Sequence, residues 1–144
     1  MRKAFTLIEL LIVIAVISIL IGIALPRFKG MQDEGNIAKS KGELRTLQSA
    51  LESYYIHNSN AYPAALSSLT SAVPNLVNSI PADPFSTTSA SYGYVRGGTN
   101  NKFFVAYSVG PSANGSATIT SDAVVETNGS SCIYVSNAGQ DSQP

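Results

Sequence analysis

The chain opens Met1-Arg-Lys-Ala-Phe5-Thr-Leu-Ile-Glu9-Leu-Leu-Ile-Val-Ile-Ala-Val-Ile-Ser18-Ile-Leu-Ile-Gly22-Ile-Ala-Leu25. Two cations, Arg2 and Lys3, precede a run from Phe5 to Leu25 that is almost wholly apolar. As a helix this run is about 32 Å long, matching a hydrocarbon core of about 30 Å. Cations at the start predict a cytoplasmic N-terminus, with the apolar segment entering the membrane from that side. A secretory signal peptide has the same outline, and Gly22-Ile23-Ala24 would serve as its small-residue cleavage site. A plain membrane anchor is the other ordinary reading. Glu9 fits neither, because a carboxylate in lipid is costly and ionisable residues there have a partner and a function. No Lys or Arg stands between Ala4 and Pro26 to neutralise it. A free amine at Phe5, made by proteolysis, would be a suitable partner.

Lys3-Ala4-Phe5-Thr6-Leu7-Ile8-Glu9-Leu10-Leu11 resembles the class III signal of type IV pilins and pseudopilins. The resemblance implies that residues 1–4 are a leader, that prepilin peptidase cuts between Ala4 and Phe5, and that Phe5 is then N-methylated. Gly is usual before the cut, and Ala4 departs from that pattern while remaining small. Four residues of helix span about 6 Å, so in a staggered stack Glu9 of one copy can meet the Phe5 amine of another. Wrong registers would leave a charge unpaired in a dry core, which is expensive. The pair therefore selects register, while the Leu, Ile and Val surface supplies most of the cohesion.

Outward from this segment, Ser18, Gly22 and Pro26 are expected to interrupt the helix, with Gly22 and Pro26 as the break, since proline removes a donor and clashes with the preceding turn. Pro26, followed by Arg27 and Lys29, also suits a membrane exit. The expected segments are a membrane and filament-core half at 5–26, an amphipathic half at 27–58, and a connecting loop with β-sheet domain at 59–144. In the second segment Ile37, Leu44, Leu47, Leu51 and Tyr54 or Tyr55 recur at helical spacing, with Lys39, Lys41, Glu43, Arg45 and Glu52 largely off the stripe. Gly30, Gly35 and Gly42 lower helix propensity, yet the stripe crosses Gly42 and predicts a continuous helix ending near Asn58-Ser-Asn60. These halves resemble the long spine of pilins.

Ala61-Tyr-Pro-Ala-Ala-Leu-Ser-Ser-Leu69 resembles the connection after that spine in pseudopilins, with Pro63 opening a short helix. Residues 71–84 hold Pro74, Pro81 and Pro84 and read as loop. Ser91–Arg96 and Lys102–Val109 read as strands joined by Gly97-Gly-Thr-Asn-Asn101; Ala117–Thr120 and Ser131–Val135 are weaker strand candidates. The expected fold is α+β, a long N-terminal spine helix packed on a small three- or four-stranded antiparallel sheet. Asp83-Pro-Phe85 followed by Phe104-Val-Ala-Tyr-Ser-Val-Gly-Pro111 looks like the major pseudopilin of type II secretion, where an acidic loop after this strand binds calcium. Here the loop Pro111–Asp122 holds one carboxylate. Two readings stand: a weak calcium site at Asn114 and Asp122, joined by Glu126 and backbone carbonyls, or a polar turn without metal. Otherwise no cofactor is expected. Asn128-Gly-Ser reads as a turn despite its sequon form, and Ser136–Pro144 as a polar, mobile tail.

Composition agrees with a membrane segment joined to a modest soluble domain. Charged residues make up 12 % and the formal net charge is zero. Losing Arg2 and Lys3 leaves seven basic against nine acidic residues. No basic patch for nucleic acid is evident. The one cysteine, Cys132, cannot form an intramolecular disulfide; it reads as an apolar strand residue, with an intermolecular disulfide or reactive thiol as the alternative. His57 stands without companions for catalysis or metal, and no P-loop, zinc spacing or His-supported nucleophile is present, so no enzyme is expected. The resemblance implies a homopolymeric filament subunit. Its partners would be minor pilins or pseudopilins, prepilin peptidase and an inner-membrane assembly platform. The protein would sit in the bacterial inner membrane as a single pass before assembly, then in a periplasmic or surface filament. A secretion pseudopilus is the first reading. A surface pilus for adhesion, motility or DNA uptake is the second, weakened because those pilins often close a C-terminal loop with a disulfide. A conventional secreted or anchored binding protein is the third.

Overall fold

Apolar side chains from Leu7 to Met31 find nothing to pack on, because a lone helix offers its neighbours only its own surface. The structure, a computed structural model, describes residues 5–120, 124–129 and 131–140. Helix α1 is Leu7–His57. The chain divides into two compact units, one up to Gly35 and one from Asn36 onward. In the first, every large apolar side chain from Leu7 to Leu25 is about half or more exposed. The helix is long and apolar enough to cross a membrane.

The expected helix break at Gly22 and Pro26 is not found: α1 runs through both, and through Ser18. Pro26 lacks an N–H and so deprives one carbonyl, that of Gly22 four residues back, of its intrahelical bond. The same carbonyl is the one the proline ring crowds, and Gly22 brings no side chain to that turn. Ser18 Oγ donates to the Ile14 carbonyl at 2.7 Å, so its hydroxyl is satisfied within the helix, as lipid demands. The 26/27 boundary therefore marks a change in composition rather than in backbone.

In the second unit, Ser40, Leu44, Leu47, Ala50 and Leu51 form the buried face of α1. Spacings of three and four put them on one side, and each buried leucine contributes about 1.5–3 kcal/mol of transfer free energy. Gly42 lies on the exposed side, with nothing within 4 Å of where a Cβ would stand. Gly42→Ala should stabilise the unit by about 0.5–1 kcal/mol, seen as a rise in thermal midpoint; a fall would show that Gly42 needs its freedom.

The leucine face packs on a three-stranded antiparallel sheet ordered β1 (Gly93–Gly97), β2 (Phe103–Ser108), β5 (Ile133–Ser136). Central β2 is buried on both faces. Phe104 and Ala106 join the leucines of α1 in one core. Val105 joins Ala117 and Val125 in a second core. That second core belongs to a further sheet, β3 (Ser116–Ile119), β4 (Val124–Asn128) and β6 (Gly139–Gln140), in which β3 and β4 are antiparallel and β4 and β6 parallel. The α+β arrangement is as expected, with a second small sheet added behind the first.

Two local expectations are corrected. The short helix α2 is Ser68–Ser71, five residues beyond Pro63, whose carbonyl accepts from the Tyr94 hydroxyl at 2.9 Å. Asn128 ends strand β4, paired with Ser116, and the chain bends after it at Gly129, φ +88°; Ser130 lies outside the described residues. Residues 136–140 of the expected mobile tail are built into the two sheets through β5 and β6. Asn137 Oδ1 accepts from the Phe104 N–H at 2.8 Å, and its Nδ2 donates to the Tyr62 hydroxyl and the Lys102 carbonyl. Tyr62 stacks between Tyr55 and Phe104 with both ring centroids at 4.7 Å. This stack ties the chain leaving α1 to the middle of the sheet.

Candidate functional site

Glu9 stands in the first turn of α1. Its Oε2 accepts from the Thr6 N–H at 3.0 Å and from Thr6 Oγ1 at 2.8 Å, and Thr6 Oγ1 accepts from the Glu9 N–H at 3.3 Å. This reciprocal arrangement is a capping box, which satisfies helix N–H groups that have no carbonyl partner. Sequence reasoning missed it, although Thr-x-x-Glu at the start of an apolar run is its signature. No hydrogen bond of Glu9 Oε1 is found among the described residues, which leaves an oxygen for a group outside the chain. Phe5 is 83 % exposed. Ala4 lies outside the described residues, as does Asp122.

Asn114 sits against Gly129, where a Cβ would meet its carbonyl at 2.8 Å and its Oδ1 at 3.0 Å. Glu126 lies three residues before Gly129, roughly 10 Å along β4, opposite Thr118. With Asp122 outside the described residues, the expected pairing of Asn114 with Asp122 falls outside them too. Among the described residues no group of three or more His, Cys, Asp or Glu converges.

The polar centre of this region is instead Asp83, 4 % exposed. Its Oδ1 accepts from Ser108 Oγ at 2.8 Å and the Phe85 N–H at 3.0 Å, and its Oδ2 accepts from the Val109 N–H at 2.8 Å. Ser108 Oγ in turn accepts from the Gly110 N–H at 3.2 Å. Gly110 takes φ +70°, and a Cβ there would strike the Ser131 carbonyl. The following loop closes on itself through Gly115 N–H to the Val109 carbonyl at 2.9 Å and Ala113 N–H to the Gly110 carbonyl at 2.8 Å.

His57 Nδ1 donates to the Ser53 carbonyl at 2.8 Å, one helical turn back. Cys132 is a free thiol, half-buried. Burial, and secondarily the Asp83 charge, push its pKa up to about 11. Its ionisation is thus harder in the folded state than in an ordinary thiol. The sign follows: the folded state is favoured fully below the ordinary thiol range near 9 and loses that advantage as pH climbs toward 11. Iodoacetamide at about pH 8 should modify Cys132 at least about tenfold more slowly in the folded protein than in urea; equal rates would contradict the burial.

Comparison with known proteins finds relatives by sequence. The prokaryotic N-terminal methylation motif matches residues 1–25. The type II secretion system core protein G of Pseudomonas aeruginosa is 26 % identical over 123 residues, covering 76 % of this chain and 83 % of the relative. The protein of the same name from Pectobacterium carotovorum is 25 % identical over 124 residues, covering 76 % of each. A fimbrial protein of Pseudomonas aeruginosa is 40 % identical over 52 residues, 36 % of this chain and 34 % of that one. No solved structure matches.

Proposed function

We infer that this chain, a type IV pilin-like protein similar to the major pseudopilins of type II secretion, is a structural subunit of a pseudopilus that drives protein secretion. The observation that carries the reading is Glu9: a carboxylate at the head of an apolar, uncovered helix, with one oxygen spare and no cation of its own segment to meet it. The likeness to core protein G extends over three quarters of the chain, whereas the fimbrial likeness is confined to about a third. The first span takes in the sheet domain; the second is too short to do so, which favours the pseudopilus over a surface pilus.

The finer steps follow from the same chemistry. Residues 1–4 are a leader removed by prepilin peptidase between Ala4 and Phe5, and the new amine of Phe5 is methylated. Before assembly the apolar part of α1 anchors the subunit in the inner membrane with its N-terminus on the cytoplasmic side. An inner-membrane platform then feeds subunits, together with minor pseudopilins, into a periplasmic filament. There Glu9 of one copy neutralises the Phe5 amine of another, and the apolar surfaces cohere without water. The test is deletion of the coding sequence in its host, scored for secreted protein and for sheared surface fibres. Lost secretion with surface fibres intact supports the pseudopilus. Lost surface fibres with normal secretion would assign the chain to a surface pilus.

A further inference from the structure

The apolar surface of α1 does not stop where the membrane segment does. Beyond Pro26 and Arg27, Phe28 and Met31 remain 63 % and 69 % exposed, and Glu34 follows one turn later on the same side. Two large apolar side chains held in water mark a contact surface when another face complements them.

Such a face exists in the second unit. A cavity of about 440 Å³ is lined by Ile37, Lys41, Pro111, Cys132 and Ile133 among others. A neighbouring cavity of about 260 Å³ is lined by Lys41, Leu44, Arg45, Ile133 and Val135 among others. Because they share Lys41 and Ile133, they form one groove between α1 and β5. The only strand hydrogen-bonded to β5 among the described residues is β2, so the groove runs along an open sheet edge. Its apolar wall is Ile37, Pro111 and Ile133. Its cationic wall is Lys41 and Arg45, which make no ion pair among the described residues; the one pair found there is Lys39–Glu43.

We propose that this groove receives the Phe28–Met31–Glu34 face of α1 from a second copy of the chain. The proposal rests on the filament reading and specifies one contact within it. Charge and apolarity match in the same order along both faces. Met31 would meet Ile37 and Ile133, and Glu34 would meet Lys41. Met31 and Ile37 are six residues apart in sequence, and Glu34 and Lys41 seven, so one displacement between parallel copies satisfies both. The contact is head-to-tail, joining unlike surfaces, so it propagates along a filament instead of closing a dimer.

Cys132 in the groove makes the contact testable with one added thiol. Filaments carrying Met31→Cys, left in copper phenanthroline at about pH 8.5 for at least about tenfold longer than an ordinary thiol pair needs, to offset the slow ionisation of Cys132, should give a ladder of covalent multimers well beyond dimer. The ladder should vanish when Cys132→Ser is added. Filaments visible by electron microscopy that yield no ladder, or only dimers, overturn the contact while leaving the filament reading intact. Absence of any filament from the unmodified chain in its host would remove the filament reading, and the contact with it. A charge exchange serves if Met31→Cys does not assemble. Lys41→Glu should lower filament yield about tenfold, and Glu34→Lys in the same chain should restore most of it. A double variant no better than Lys41→Glu alone overturns the contact.

Discussion

Glu9→Ala should leave the subunit inserted in the membrane and lower assembled filament by on the order of a hundredfold. Insertion should if anything improve, since alanine removes a charge from an apolar segment. Assembly should fail because each copy would then bury the amine of a neighbour without a counter-charge. The capping box gives Glu9 a second duty, and Glu9→Gln separates the two. A glutamine side-chain oxygen can still accept from the Thr6 N–H and hydroxyl, so the helix start is kept, but it cannot neutralise an amine. If charge pairing governs assembly, Glu9→Gln is nearly as defective as Glu9→Ala. If capping governs it, Glu9→Gln assembles like the parent chain and Thr6→Ala is the defective variant. Membrane fractionation and filament counts from the same cells read both outcomes.

Asp83→Ala should cost the soluble domain about 3 kcal/mol or more, the largest loss expected from a polar substitution there. Removing the carboxylate strands two N–H donors, of Phe85 and Val109, and the Ser108 hydroxyl in a site that water does not reach. Each orphaned buried donor costs about 1–3 kcal/mol. Asp83→Asn is at most a partial rescue, because an amide oriented to accept at one atom presents an N–H at the other, against the N–H of either Val109 or Phe85. It should recover about half of the loss at most. Urea denaturation of the domain from Asn36 onward reads the midpoints. An Asp83→Asn variant as stable as the parent would show that these bonds are weaker than their burial implies.

Much of the arrangement is legible in the sequence where the cause is local. The segment Phe5–Leu25 with Glu9 inside it needs only hydropathy and length, and Leu44, Leu47 and Leu51 announce a helix face by spacing alone. β1 and β2 are dense in aromatic and β-branched residues, which betrays strands without knowledge of their partners. Where the cause lies far along the chain, sequence reading fails. β4 has only Val125 strongly buried, and its identity as a strand comes from pairing with β3. β6 is two residues long, too short for any periodicity to register. Asn137 reads as part of a loose polar tail because its partners, Lys102, Phe104 and Tyr62, are at least 33 residues away. Asp83 belongs to a recognisable motif, yet its task depends on Ser108 and Val109, which only the folded sheet brings to it. The expected break at Pro26 fails for a different reason. Proline disrupts one bond in a ladder of many, and the isoleucines, leucines and alanine just before it hold the helix up to that point.

At the N-terminus the outcome turns on which group the carboxylate of Glu9 meets once subunits have assembled. Cryo-electron microscopy of native filaments, at a resolution that separates side chains, measures this directly. The Glu9 carboxylate should lie within about 4 Å of the Phe5 nitrogen of a different copy, the reach of an ion pair, and the chain should begin at Phe5. A filament in which Glu9 touches only its own Thr6, with every Phe5 amine elsewhere, would contradict the account.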